Sequence, residues 1–246
     1  MKEQMVTNCA QCPLRKLEVF ETLDRDAITA MQRFKHGELK IDAGTPILME
    51  GSNSPQLFTS LKGMGLRYKT TRDGNRQVVN FVLPGEFLGL QAGVMGEMKH
   101  SVEATTPMVL CVFDRKELWN LYKTQPERAF DLTWAAAAEE HFLGEALTSI
   151  GQMDAIQRIS WGLMRFYLRC ESLGLTDGQR CPFPFRQQDL ADAVGLSLVH
   201  TNKTLMKLRD SQTVSLQDGL LSILNPDRLE EASGQDVEPL ALRPLI

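Results

Sequence analysis

Apolar positions follow two different patterns along this chain, and the pattern changes near residue 114. From residue 35 to residue 114, short apolar or alternating runs are separated by frequent glycines. The runs lie at residues 45–49, 57–61, 66–70, 77–82 and 108–113. Short strands with turn residues at intervals of about 8–12 positions are typical of a β sandwich or barrel. The first half is therefore predicted to be a β roll, with a hairpin turn at Asp73-Gly74.

A long helix is predicted to follow. From Pro126 to Gly151 glycine becomes scarce, alanine becomes frequent, and apolar residues return every three or four positions. One stripe has the alternating four-three spacing of helices that pack along a partner of the same kind. Its members are Leu132, Ala136, Glu139, Leu143, Ala146, Ile150 and Met153. The stripe predicts a dimer seam, although a core helix lying on the β domain has the same periodicity.

A second helical unit is predicted to begin at Asp154, which suits the N-cap of a helix. Residues 173–181 are predicted to be a connection. Residues 187–209 then indicate two short helices that turn at Gly195, with Ser197 capping the second helix. Ala191 is small enough for the helices to cross closely. Their predicted core comprises Leu190, Val194, Leu196, Leu205 and Leu208. Residues 213–216 and 220–224 form a predicted hairpin, so the whole unit is predicted to be a winged helix-turn-helix.

Charge is distributed unevenly. With 27 basic and 31 acidic residues the net charge is −4, which argues against a protein that coats polyanions nonspecifically. The second helix, however, carries three basic side chains and no acid between residues 197 and 209. A local positive patch of this kind is what phosphate contacts require. The predicted DNA-contacting residues are Gln187, Ser197, Val199, His200, Asn202, Lys203, Lys207 and Arg209.

Three of these residues suit base recognition. Val199, Asn202 and Lys203 lie on one helical face, where Asn pairs with adenine, Lys with guanine and Val with a thymine methyl group. His200 is more typical of a phosphate or solvent contact. A helical hairpin with solvated lysines is the alternative to DNA binding.

The chain resembles the CRP/FNR family of bacterial transcription regulators along nearly its whole length. The resemblance rests on the glycine-punctuated roll, the Pro-Gly-Glu-Phe-Leu-Gly segment at residues 84–89, the long helix and the segment at residues 187–197. It implies an α+β chain with an N-terminal β jelly roll like a cyclic-nucleotide-binding domain, a long dimerisation helix and a C-terminal winged helix-turn-helix. The expected divisions are 1–125, 126–153 and 154–233, with a mobile tail at 234–246.

The same resemblance implies a homodimer that binds palindromic double-stranded DNA, with RNA polymerase as a further partner. Family members commonly read bases with a Glu-x-x-Ser-Arg sequence. In this chain Val199, Asn202 and Lys203 stand at the matching positions. The resemblance therefore predicts how the recognition helix lies against DNA, but it does not predict which operator sequence the helix reads.

The sensory signal is predicted by comparing two branches of the family. Cyclic-nucleotide-binding members carry an Arg followed by Ser or Thr, whereas residues 97–102 contain no Arg, so a cyclic nucleotide is unlikely. The chain looks more like the oxygen-responsive branch, which holds an iron–sulfur cluster. Cys9, Cys12 and Cys111 match three cysteine positions of that branch, and Glu18 stands at the fourth. The resemblance implies a 4Fe-4S or 3Fe-4S cluster, with Glu18 or an exogenous ligand completing it.

Other interpretations of the cysteines stay open. Five cysteines in a chain without an export signal do not predict a disulfide framework. Cys111 could be a small core residue, and Cys9 with Cys12 could be a redox dithiol, although no βαβ pattern surrounds them. Zinc would need a further ligand, for which the candidates are His36, His100 and His141. Cys170 and Cys181 are expected to be structural.

Several function classes are not expected. No run approaches about 18 apolar residues and no leader precedes the roll, so we expect a cytoplasmic protein with no membrane span. No nucleophile, phosphate-loop or paired-carboxylate motif stands out, so we do not expect an enzyme. The alternatives are a regulator with a small-molecule effector or no cofactor, a thiol redox enzyme, and a metal-binding module.

Overall fold

The computed structural model describes residues 6–234 and 240–246. The chain divides into two compact units. The first contains the described residues up to Arg67, Val82–Ala138 and Leu242–Ile246, and the second contains Tyr68–Phe81 and the described part of Glu139–Ala241. This division differs from boundaries at residues 125 and 153, because a segment of the β region and half of the long helix pack with the C-terminal helices.

The β region is a roll of two four-stranded sheets, as predicted. Two 3₁₀ turns, Cys9–Gln11 and Pro13–Lys16, precede it. The elements are α1 (Arg25–Phe34), β1 (Lys35–Ile41), β2 (Pro46–Leu48), β3 (Gln56–Lys62), β4 (Gly65–Thr70), β5 (Arg76–Val82), β6 (Phe87–Leu88), α2 (Leu90–Met95), β7 (Ser101–Ala104), β8 (Met108–Asp114) and α3 (Leu118–Thr124). The sheet orders are β1-β8-β3-β6 and β2-β7-β4-β5. In the first sheet, Cys111 on β8 stands opposite Glu38 and Thr59.

Helix α1 was not predicted, although its sequence carries the signals of a helix. Asp24 caps it by accepting a hydrogen bond from the amide of Ala27 at 2.7 Å. Ala27, Met31 and Phe34 repeat every three or four positions, and all three are buried. The Phe34 ring stacks on that of Phe113 in β8, with 4.7 Å between the ring centroids. The helix therefore covers the β1-β8 edge of the roll.

The predicted long helix and winged helix-turn-helix are both present. Their elements are α4 (Pro126–Gln152), α5 (Ala155–Ser172), β9 (Arg180–Pro182), α6 (Gln187–Val194), α7 (Leu198–Asp210), β10 (Val214–Gln217), β11 (Leu220–Ile223) and α8 (Pro226–Ser233). Asp154 caps α5 as predicted, because its carboxylate accepts from the amides of Ile156 and Gln157. The connection predicted for residues 173–181 ends instead in β9, which pairs with β11.

The predicted stripe of α4 is exposed only in part, since Ala136 and Leu143 are exposed whereas its two ends are buried. Leu132 and Met153, at the two ends of that stripe, are 1% and 9% exposed and belong to the core of this chain. Phe130 and Leu147 are instead 70% and 71% exposed. A second stripe with three-four spacing is exposed throughout, and it comprises Phe130, Thr133, Ala137, Glu140, Gly144, Leu147 and Gly151. The spacing of apolar residues alone did not distinguish the two stripes, because small residues such as alanine and glycine occur on or beside both of them.

The tail also differs from the prediction of a mobile segment at residues 234–246. Residues 235–239 lie outside the described part of the chain. Leu242–Ile246 belong to the first unit, where Leu245 and Ile246 are buried. Burial of their apolar side chains stabilises the packing of this segment against the first unit. No helix in the described ranges combines the length and apolar character that a membrane crossing requires.

Candidate nucleic-acid interface and thiol cavity

The helix-turn-helix has the core that its sequence predicts. Gly195 ends α6 in a left-handed conformation with φ of +67°, which glycine adopts without strain. The amide of Leu196 then donates to the carbonyl of Ala191 at 3.0 Å, closing the turn. The buried side chains are Leu190, Ala191, Val194, Leu205 and Leu208. Leu196 is only half-buried, so the predicted core is present except at this position.

Helix α7 presents most of the predicted DNA-contacting residues to solvent. Val199 is 64% exposed, and His200, Lys203, Lys207 and Arg209 are exposed as well. The opposite face buries Thr201, Thr204, Leu205 and Leu208. The predicted cap is present, because the Ser197 hydroxyl accepts from the amide of His200 at 3.3 Å. Gln187 is exposed at the start of α6.

Two details of this face were not predicted. Met206 is 54% exposed, one turn beyond Asn202 and Lys203, and lengthens the exposed stripe. Asn202 itself is half-buried, and its Oδ1 atom has no hydrogen-bond partner among the described residues. At the end of the helix, Nε of Arg209 lies 3.8 Å from the carboxylate of Asp210. The positive charge is therefore least compensated at Lys203 and Lys207.

A buried carboxylate fixes α6, and the sequence analysis missed it. Asp189 is 1% exposed and accepts hydrogen bonds from the backbone amide of Arg186 at 2.8 Å and from its guanidinium at 3.0 Å. Arg76 of β5 forms a second ion pair with Asp189 and donates to Asp192 at 3.1 Å. Burial alone would raise the pKa of Asp189, but the bonds from Arg186 and Arg76 outweigh it and lower that pKa.

The predicted wing is also present. Strands β10 and β11 pair in antiparallel register, with Gln217 opposite Leu220. Asp218 and Gly219 both have positive φ, which is the conformation of a primed two-residue hairpin turn. Leu220 is 44% exposed beside this turn.

In the first unit, two neighbouring cysteines and a third that is distant in sequence line one cavity. Cys9, Cys12 and Cys111 surround a space of about 40 Å³, together with Lys35. Glu18 is exposed and does not line the cavity. The structure therefore brings together three of the four predicted cluster ligands.

Hydrogen bonds hold the N-terminal turns against this cavity. Nζ of Lys35 donates to the carbonyl of Thr7 at 2.7 Å and to the carboxylate of Glu38 at 2.8 Å. The amide of Cys9 donates to the side chain of Gln32 in α1 at 2.8 Å. These contacts place the Cys9 and Cys12 turns beside β8.

Burial governs the acidity of the thiols. It raises the pKa of Cys9, and it raises the pKa of Cys111 to about 11 although the Lys35 ammonium opposes this shift. Cys9 and Cys111 are therefore protonated at neutral pH. Three soft sulfur ligands on one cavity suit an iron–sulfur group by ligand type. The described residues form no group of three or more His, Cys, Asp or Glu side chains placed to hold a metal ion.

The alternative sites proposed from the sequence fall elsewhere. His36, His100 and His141 do not line the thiol cavity. Cys170 and Cys181 are fully buried in the second unit, and their side chains share a hydrogen bond. In the segment at residues 84–89, Glu86 pairs with Arg67 at 3.2 Å. Lys99 pairs with Glu97.

Comparison with known proteins agrees with both halves of this architecture. The cyclic nucleotide-binding domain model matches residues 38–125, and the Crp-like helix-turn-helix domain model matches residues 157–232. The chain is 31% identical to the nitrogen fixation regulation protein FixK of Rhizobium meliloti strain 1021 over 189 residues, covering 76% of this chain and 82% of that protein. It belongs to the CRP/FNR family of transcription regulators.

Further relatives support the assignment. The FixK protein of Bradyrhizobium diazoefficiens is 26% identical over 225 residues, covering 90% of this CRP/FNR regulator and 92% of that protein. The solved structure of FixK2 from Bradyrhizobium japonicum has the same fold, with a TM-score of 0.72 and 21% identity over 81% of this chain and 98% of that one. CRP/FNR regulators bind DNA and act as dimers, and these relatives are regulators of transcription, not enzymes.

The Asp189 ion pairs lead to a prediction about pH and stability. Asp189→Asn should lower the free energy of unfolding by about 1–3 kcal/mol at pH 7, because it removes a buried carboxylate from two arginines. A carboxyl with a lowered folded-state pKa contributes stability above its unfolded pKa and loses it as the pH falls through the folded value. The difference between wild type and variant should therefore shrink below about pH 4.

Denaturant unfolding from pH 7 down to pH 3 measures this difference. The matched control is Asp218→Asn, an exposed carboxylate in the wing turn, which should change stability little at any pH. A difference for Asp189→Asn that stayed constant across the range would contradict the assigned role of its charge.

Proposed function

We propose that this regulator acts as a homodimer on palindromic double-stranded DNA and responds to redox state or oxygen through Cys9, Cys12 and Cys111. The observation that carries the sensory half is that these thiols line one cavity although about a hundred residues separate Cys111 from the other two. The DNA half rests on the exposed, basic face of α7. RNA polymerase is the further partner expected of such a regulator once it is bound to DNA.

The exposed face of α7 supports different roles in DNA binding for its two lysines. Lys203 shares the first two turns with Val199 and Asn202, which is the part of a recognition helix that reaches base edges. Lys207 lies one turn further along the helix, closer to its C-terminal end. A lysine in the groove contributes base discrimination, whereas a lysine on the backbone contributes charge.

Lys203→Ala should weaken binding to the operator by about 1–3 kcal/mol and relax base preference at one position of each half-site. Lys207→Ala should weaken binding to all duplexes alike and reduce the slope of log affinity against log salt by about one. Fluorescence anisotropy with operator and random duplexes at several salt concentrations measures both effects. Equal losses on both duplexes for Lys203→Ala would show that this side chain does not read bases.

The exposed stripe of α4 supports the homodimer. Phe130 and Leu147 are large apolar side chains open to solvent, and Thr133, Ala137 and Gly144 between them are small enough to admit a second helix closely. Apolar residues with three-four spacing along a helix are the pattern that pairs two helices. We therefore assign the seam to this stripe and not to the one predicted from sequence.

Leu147→Glu should give monomers that have lost palindrome binding, because two carboxylates facing each other in a seam cost several kcal/mol. Leu147→Met keeps an apolar side chain of similar size and should remain dimeric. Light scattering gives the molar mass, and circular dichroism verifies that the monomers are folded. A folded Leu147→Glu variant that remained dimeric would exclude this residue from the seam.

The sulfur donors of the thiol cavity support a redox site with an iron–sulfur cluster by their type and not by their present placement. Cys9, Cys12 and Cys111 would be its protein ligands, and an exogenous ligand is favoured in the fourth place because Glu18 is exposed elsewhere. When bound, such a cluster supplies a centre that reacts with oxygen. The chain's own contribution is to hold the two N-terminal thiols beside Cys111, so that loss of the site would loosen the turns from β8.

Cys111→Ser should abolish both the visible chromophore and any signal-dependent change in DNA binding. Cys170→Ser should leave both intact, because Cys170 is buried in the other unit. The measurements are an absorption spectrum with iron and sulfide analysis after anaerobic purification, and anisotropy with and without oxygen. Wild-type protein that was colourless, free of iron and fully active on DNA would refute the cluster and favour a small-molecule effector or none.

A further inference from the structure

The thiol cavity is partly built by the far end of the chain. Leu242–Ile246, here called the strap, belongs to the first unit although it follows α8 of the helix-turn-helix along the sequence. Leu245 and Ile246 line the same cavity as Cys9, Cys12 and Cys111. The cavity therefore has a wall that does not come from the β roll or from the N-terminal turns.

The first half of the strap is held like a short parallel strand. The amide of Arg243 donates to the carbonyl of Val19 at 3.0 Å, and the amide of Glu21 donates to the carbonyl of Arg243 at 3.0 Å. The Arg243 guanidinium lies over the ring of Phe20, 4.7 Å from its centroid, and donates to the carbonyl of Pro84 at 3.2 Å. These contacts fix the register in which the following residues enter the cavity.

The second half is buried. Leu245 and Ile246 are 6% and 8% exposed, and Ile246 joins the core that contains Cys111 and Phe113. The Thr59 hydroxyl donates to the carbonyl of Ile246 at 2.6 Å, and Thr59 stands opposite Cys111 across the β3-β8 pair. Leu242, by contrast, is 60% exposed. The strap thus has an anchored apolar end and an exposed beginning.

We propose that the strap is an intrachain ligand of the thiol cavity and that its docking controls access to Cys111, the buried one of the three cysteines. With the strap docked, the remaining space of about 40 Å³ holds only a few water molecules. Any larger reagent, whether an electrophile, an oxidant or a metal source, therefore needs the strap to leave before it can reach Cys111. The strap is a terminal stretch of five residues in this unit, so we infer that it detaches without unfolding the roll.

The consequence for regulation rests on the function proposed above. The strap continues from the helix-turn-helix unit, so its docking joins the chain after α8 to the wall of the sensory cavity. Thiol chemistry that keeps the strap out would remove this connection. Access to the thiols is the part of the inference that can be measured without iron and without DNA.

The test is the rate at which N-ethylmaleimide alkylates Cys111 in the reduced, iron-free chain, resolved by site with mass spectrometry. A chain ending at residue 241 and a Leu245→Asp variant should both be alkylated at Cys111 at least about tenfold faster than wild type. Leu242→Asp is the matched control, since it places the same charge at an exposed position of the same segment. Its Cys111 should react at the wild-type rate.

Cys170 and Cys181 report on folding in the same experiment, because both are fully buried in the second unit and unfolding would expose them. Folding of the first unit is tested by adding a synthetic peptide with the sequence of residues 240–246 to the shortened chain. The peptide should restore protection of Cys111, and the same peptide with Asp in place of Leu245 should not. Only an intact cavity can produce that difference.

The outcomes separate this inference from the proposed function. Unchanged alkylation of Cys111 in the shortened chain, or a peptide that failed to protect it, would refute the proposed role of the strap. Neither result would bear on the proposals of DNA binding and redox sensing. Faster alkylation with peptide rescue, in a protein that never binds iron, would support the proposed role of the strap and refute the proposed iron–sulfur cluster.

Discussion

The thiol cavity of the first unit depends on one buried ammonium group. The Lys35 side chain is 2% exposed, and a cation in such a place is tolerated only when its hydrogen-bonding capacity is used. It donates hydrogen bonds to the carbonyl of Thr7 and the carboxylate of Glu38, and it lines the same cavity as Cys111 of β8. Burial opposes its charge, yet these partners raise the pKa of Lys35 and keep it protonated. One residue therefore connects the N-terminal segment, β1 and β8.

This arrangement sets the chemistry of the cavity. The positive charge beside Cys111 favours a thiolate, but removal of water has the larger effect and leaves the thiol protonated. A protonated, covered thiol reacts slowly, since the thiolate is the nucleophile and the metal ligand. Reactivity at this site thus depends on exposure, and exposure depends on how the surrounding segments pack. Segments from both ends of the described chain take part in that packing.

The second unit uses the same principle with the opposite sign of charge. Asp189 is a buried anion that two arginines compensate, one three residues before it and one from β5. The pair with Arg186 is local and caps α6, whereas the pair with Arg76 joins the helix-turn-helix to a strand over a hundred residues earlier. The recognition helix gains a fixed support on its inner side. Its outer side carries Lys203 and Lys207, which form no ion pair among the residues that the structure describes.

The sequence alone determined the β roll, the long helix, the capped α5, the turn at Gly195 and the wing, because each depends on local periodicity or on a turn that needs particular residues. It also identified Cys9, Cys12 and Cys111 as candidates, through a resemblance and not through any local rule. Tertiary structure decided what is separated in sequence. It selected the exposed stripe of α4, since burial depends on what packs against each face. It also paired Asp189 with Arg76 and placed Leu245 and Ile246 against the thiols, because long-range contacts leave no period in the sequence.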